Sequence, residues 1–149
     1  MRLEEEIKQK TFKSGYNKAV VNILYTQSYI VTRQGKLFKP FGLSPEQYNV
    51  LRILRGHHPE PITVSSIQDR MLNKMSNASR LVEKLKQKGL ADRKECPTDR
   101  RQVDITITAA GNKLLQQLDE EIKSFNHDVI NLDEEEVNML NSLLDKLRG

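Results

Sequence analysis

Between Cys96 and Thr108 the sequence reads CPTDRRQVDITIT, setting Asp99, Arg100 and Arg101 beside the chain's single cysteine. A guanidinium is planar, permanently charged and donates through a fork, which suits phosphate and carboxylate oxygens. A second cluster lies upstream. Ser76, Asn77, Ser79, Arg80, Glu83, Lys84 and Gln87 fall on the side of a helical pattern opposite Ala78, Leu81, Val82 and Leu85, with Lys74 just ahead of them. Such a face offers amide and hydroxyl hydrogen bonding at its start and positive charge along its length. The bland readings are a solvated helix face and a solvated turn with a local Asp99 ion pair, which contributes little stability.

Other chemistries find less support. One cysteine makes no internal disulfide, and three histidines, two of them adjacent at His57 and His58, give no zinc spacing. Metal and cofactor are therefore read as none. No Ser/His/Asp order with a nucleophile turn, phosphate-cradling glycine loop or carboxylate pair in an apolar setting is present, so the chain is not read as an enzyme.

The 149 residues suit one domain, and 37% hydrophobic content suffices for a core. With 30% charged residues and no apolar run near the length of a membrane span, neither a span nor a secretory leader is expected, and the chain reads as cytoplasmic. The formal charge of +4 is unevenly spread. Ile62–Arg101 holds ten Lys/Arg against five Asp/Glu, whereas Asn112–Gly149 holds four against nine. A basic middle favours a polyanion there.

The elements that must position these groups follow from periodicity. Phe12, Tyr16, Ala19, Val20, Ile23, Leu24, Ile30 and Val31 predict one amphipathic helix from Leu3 to about Lys36, with Gly15 as a possible bend. A small domain cannot cover so long an apolar face, which asks for a partner chain. Ser44, Pro45 and Gln47 form a helix start with a capping box, and Tyr48, Leu51 and Leu54 give that helix its buried stripe. A third helix is expected over Ile62–Leu72 with Thr63 as cap, and a fourth over Ser76–Lys88 ended by Gly89. Leu90–Glu95 and Gln102–Ile107 alternate as two strands of a hairpin. Thr108 then caps a helix running towards Ile130, and Asp133–Glu136 open a last one whose Val137, Leu140, Leu143, Leu144 and Leu147 share a face.

Helix, turn, helix, strand, charged loop, strand is the order of a winged helix-turn-helix, in a mainly α fold with a small antiparallel β-hairpin and long flanking helices. A helix fits the DNA major groove, about 12 Å wide, and an arginine can enter a narrow minor groove. Asn77, Ser79 and Arg80, at the start of the fourth helix, are candidates for base readout, and Lys74, Ser76 and Lys84 for phosphate.

Three stretches now carry a family likeness: GLSPEQYNVLRIL, NASRLVEKLKQKGLADR and TDRRQVDITITAAG, and within the last Asp99, Arg101, Ile107, Thr108 and Gly111. The chain resembles the MarR-type transcriptional regulators over nearly its whole length, with isoleucine at 107 where leucine is more usual. The resemblance implies Arg101 as minor-groove probe, Asp99 as the acid holding its loop and Arg100 as an auxiliary contact. It also implies that residues 1–38 and 109–149 form a dimerisation region around a DNA-binding region at 43–108. The two-fold homodimer would meet half-sites of a near-palindromic double-stranded operator about 34 Å apart, usually as a repressor.

Many members of that family release DNA when a small phenolic or aromatic effector enters between the dimer helices and the winged region. Tyr16, Tyr25, Tyr29, Phe38 and Tyr48 fall where they could line such a crevice, or are core packing. Thiol-sensing relatives place a cysteine early in the first helices, where this chain has none. Cys96 is instead a possible redox group, its thiol pKa open to lowering by Lys94, Arg100 and Arg101, or an inert loop cysteine. The alternatives to a specific regulator are a winged-helix module that binds an acidic protein and a non-specific architectural DNA binder.

Overall fold

The computed structural model describes residues 1–99 and 101–149. In chain order they form α1 (Leu3–Glu6), α2 (Gly15–Phe38), a 3-10 turn (Lys39–Phe41), α3 (Pro45–His57), β1 (Ile62–Thr63), α4 (Val64–Arg70), α5 (Ala78–Gln87), β2 (Ala91–Glu95), β3 (Val103–Ile107), α6 (Ala109–Val129) and α7 (Glu134–Arg148). The result is mainly helical with a three-stranded antiparallel sheet in the order β1-β3-β2.

The single long helix expected from Leu3 is interrupted. Lys8 takes a left-handed φ of 54°, and α2 begins only at Gly15, with Ser14 accepting a hydrogen bond from Asn17 N at 3.1 Å. Ser and Gly are poor inside a helix, whereas Ser at its threshold satisfies an N–H that would otherwise lack a partner. Gly15 is thus a start rather than a bend. The short α1 folds back on α2: Lys18 Nζ donates to Glu4 Oε1 at 2.5 Å and Tyr25 OH to Glu6 Oε2 at 2.6 Å. The Lys18 ammonium holds the Glu4 carboxyl below its usual range, and the bond to Glu6 raises the Tyr25 phenol.

Two further boundaries differ. Ile62 and Thr63, expected inside the third helix, pair as β1 with Ile105 and Asp104 of β3. Both are β-branched and favour extended backbone, and Thr63 is still the cap of α4, its hydroxyl accepting from Ser66 N at 3.1 Å. α5 starts at Ala78 rather than Ser76 because Asn77 is its N-cap.

The core sits where α3 packs against α2, α4, α5, α6 and β3. Phe38, Val50, Leu51, Leu54, Ile67, Leu85, Ile105 and Leu115 are all but sealed from solvent. Phe38 and Tyr48 stack with ring centroids 4.4 Å apart, and burial pushes the Tyr48 phenol up. The expected capping box is present at Ser44–Gln47, and Lys88 Nζ reaches back to Gln47 Oε1 at 2.8 Å, tying the end of α5 to the start of α3.

After α5 the chain turns at Gly89 (φ +72°), with Leu90 N donating to Leu85 O at 2.9 Å and Gly89 N to Lys86 O at 2.9 Å. This paired closure of a helix end requires the left-handed conformation that glycine adopts without penalty. Thr108 locks the base of the hairpin to it, its Oγ1 donating to Gly89 O at 2.7 Å while accepting from Gly111 N at 3.0 Å. At Gly111 a Cβ would lie 2.4 Å from Leu90 O and 2.7 Å from Ile107 Cγ1, so a side chain there displaces backbone.

Candidate nucleic-acid interface

α4 and α5 form the helix-turn-helix, and the turn between them is fixed by side chains of the supporting helices. Asn49 Oδ1, on α3, accepts from Leu72 N at 2.9 Å. Gln68, on α4, accepts from Ala78 N at 3.0 Å and donates to Lys74 O at 3.3 Å. Asn73 Oδ1 accepts from Met75 N at 3.0 Å. The orientation of α5 is therefore set by polar contacts as well as by Ala78, Val82 and Leu85, which are buried. Sequence reasoning missed Asn49 and Gln68. Their partners lie 23 and 10 residues away, and no local spacing marks such bonds.

Ser79, Arg80 and Lys84 are exposed on the outer face of α5. Asn77 is exposed as well, but its Oδ1 accepts from Arg80 N at 3.0 Å, leaving its amide NH2 free to donate outward. Ser76 departs from the expectation: its Oγ is shielded from solvent and has no partner among the described residues, so the hydroxyl does not face outward. Lys74 is exposed, with its ammonium folded onto Asp69 O at the end of α4. Arg93 of β2 lies 3.8 Å from Glu83, linking α5 to the sheet.

β2 and β3 pair from Ala91↔Ile107 to Glu95↔Val103, with the connecting loop beyond the Glu95↔Val103 end. Arg100, the auxiliary candidate, lies outside the described residues. Asp99 Oδ1 accepts from Arg101 N at 3.0 Å, and Gln102 N donates to Asp99 O at 3.1 Å, so the acid braces the loop backbone and leaves the exposed Arg101 guanidinium unclaimed by it. A cleft of 430 Å³ opens beneath this loop, walled by Thr63, Ser65, Arg93, Asp99, Arg101 and Val103.

The Cys96 thiol is lowered from its usual range, for a different reason from the one expected. The leading cause is the Thr98 hydroxyl, 3.3 Å from Sγ, followed by the backbone N–H groups of Thr98 and Asp99. Among the described residues Lys94 and Arg101 are not causes. Of the aromatic candidates, Phe38 and Tyr48 are core, Tyr16 is 90% exposed, and Tyr25 and Tyr29 bond to Glu6 and Arg33. No helix among the described residues is long and apolar enough to cross a membrane, and no three His, Cys, Asp or Glu side chains converge there as a metal site.

A helix-turn-helix followed by a charged β-hairpin wing defines a winged-helix protein. A MarR family profile matches residues 41–102. The regulator MhqR of Bacillus subtilis is 34% identical over 107 residues, covering 71% of this chain and 72% of the relative. The crystal structure of a MarR transcription factor from Planctomyces limnophilus superposes with a TM-score of 0.70 at 30% identity, over 93% of this chain and 98% of that one. The fold is also that of an Escherichia coli MarR mutant complexed with operator DNA, with a TM-score of 0.77 at 20% identity over 99% of each chain. The chain belongs to the MarR family of transcriptional regulators.

Proposed function

We propose that the chain binds double-stranded operator DNA sequence-specifically as a homodimer, acts as a repressor and is released by a small phenolic or aromatic effector. The observation that carries the reading is the pairing of an outward polar helix start with a wing whose arginine is braced by Asp99. In this reading residues 43–108 form the DNA-binding region, and 1–38 with 109–149 the dimerisation region. Ser79, Arg80 and the Asn77 amide meet base edges in the major groove, Lys84 and a swung-out Lys74 meet phosphates, and Arg101 enters the minor groove with Arg100 beside it. Ser76 contributes through its place in the turn rather than through its hydroxyl.

The dimer is supported by apolar surface that one chain leaves uncovered. Tyr16, Val20 and Leu24 on α2 and Met139, Leu143 and Leu147 on α7 are exposed, and α7 has no buried residue at all. A helix with an apolar stripe and nothing against it needs a partner to be stable in water. The repressor role is supported by a relative: Transcriptional repressor MprA of Escherichia coli is 23% identical over 95 residues, and the chain spans about half of its length. The effector rests on the family likeness, which implies a crevice between the dimer helices and the winged region.

Duplexes selected from a random library, then measured by fluorescence anisotropy, test the reading. Enrichment of a near-palindrome is expected, with loss of at least tenfold in affinity for Arg101→Ala while the dimer persists. Equal binding to every duplex would make the protein architectural, and no duplex binding would leave an interaction module. Adding phenolics to the complex tests release.

A further inference from the structure

The exposed large apolar residues among the described ones fall into two groups. One lies on α2 and α7 and the segments beside them, where the proposed second chain would cover it. The other is Leu72 and Met75, 84% and 91% exposed, in the turn that leads into α5. A single exposed methionine is ordinary in a loose loop. This loop is not loose, since Leu72 N, Lys74 O and Met75 N, and Ala78 N at the start of α5, are each held by an asparagine or glutamine side chain. The backbone is fixed so that Met75 projects into water two residues before the cap of the recognition helix.

Its sequence neighbours Arg70, Lys74, Arg80 and Lys84 match a polyanion rather than an apolar protein surface. A long, unbranched thioether among cations, next to side chains that reach base edges, has one apolar target in the major groove: the C5-methyl of thymine. We propose that Met75 reads a thymine methyl in each half-site, a specificity contact that rests on the reading that α5 enters the major groove. Burying one methyl is worth about fourfold in affinity at each half-site, or about fifteenfold for a duplex with two.

The test crosses two changes. In a library-selected duplex, each thymine is replaced symmetrically by deoxyuridine, which removes the methyl and keeps the pairing. Wild-type protein should lose about fifteenfold at one thymine position. Met75→Ala, with an unchanged melting temperature, should bind the thymine and uridine duplexes alike, and Met75→Leu should restore the difference. Indifference of the wild type to every uridine overturns the proposal. So does an equal loss for wild type and Met75→Ala, because another group would then be the reader. If no duplex is enriched at all, the DNA-binding reading has failed and takes this inference with it, a result distinct from specific binding without methyl dependence.

Discussion

Gly111 shows how a single hydrogen atom can be a structural requirement. Its φ is not strained; the space beside it is filled by Leu90 O and Ile107. Gly111→Ala should therefore destabilise the fold by about 1–3 kcal/mol, read as a melting-temperature drop of several degrees at fixed protein concentration. An unchanged midpoint would mean that α6 can shift without cost. Cys96 offers a second test at this scale. Hydrogen bonds from the Thr98 hydroxyl and from the Thr98 and Asp99 N–H groups favour the thiolate, so the pH midpoint of iodoacetamide alkylation should lie below that of the unfolded chain. Thr98→Ala should move it upward, and a midpoint that stays put would exclude the hydroxyl as the leading cause. The thiol's position beside the wing is legible in the sequence. Its cause is not, because it depends on how the loop backbone turns rather than on which charges are close in the chain.

At the scale of elements, the signals that can be read locally are the caps. Ser44, Thr63, Thr108 and Asp133 each accept from the N–H three residues on, an interaction complete within one turn. What local reading misses needs a distant partner or a competition. β1 exists because β3 lies alongside it, and α1 separates from α2 because Ser14 caps better than it continues a helix. The recognition turn is the functional instance. Gln68→Ala leaves Ala78 N without its acceptor and frees the Lys74 carbonyl. A stability loss of about 1 kcal/mol is expected, together with a fall in operator affinity although Gln68 is no candidate DNA contact. Normal affinity would show that packing alone orients α5. On α7, Leu143→Glu should place a charge in the stripe that a second chain would cover. Sedimentation should then report monomer, and persistence of the dimer would move the interface elsewhere.

For the whole molecule, the contrast between a basic middle and an acidic end matches the two tasks proposed for the chain, attraction of a polyanion and assembly of copies. Six to ten phosphate contacts across a dimer predict an affinity loss of roughly 10³–10⁵-fold between about 50 and 200 mM salt, and Lys84→Gln in both copies should lower the slope of the double-logarithmic plot by about 2. An unaltered slope would remove Lys84 from the phosphate set.

The Thr108 junction has a mechanical meaning. Its hydroxyl joins the carbonyl of Gly89, just past α5, to the first turn of α6, while its backbone continues β3. Recognition helix, wing and α6 thus share one rigid corner. α6 has 21 residues and so acts as a lever of about 31 Å. Tilting it by about 5° at its far end displaces that corner by about 3 Å, close to the roughly 3.4 Å rise of one base pair. In the symmetric pair of chains proposed above, small changes in how the levers cross would be enough to slip both reading heads out of step with the groove.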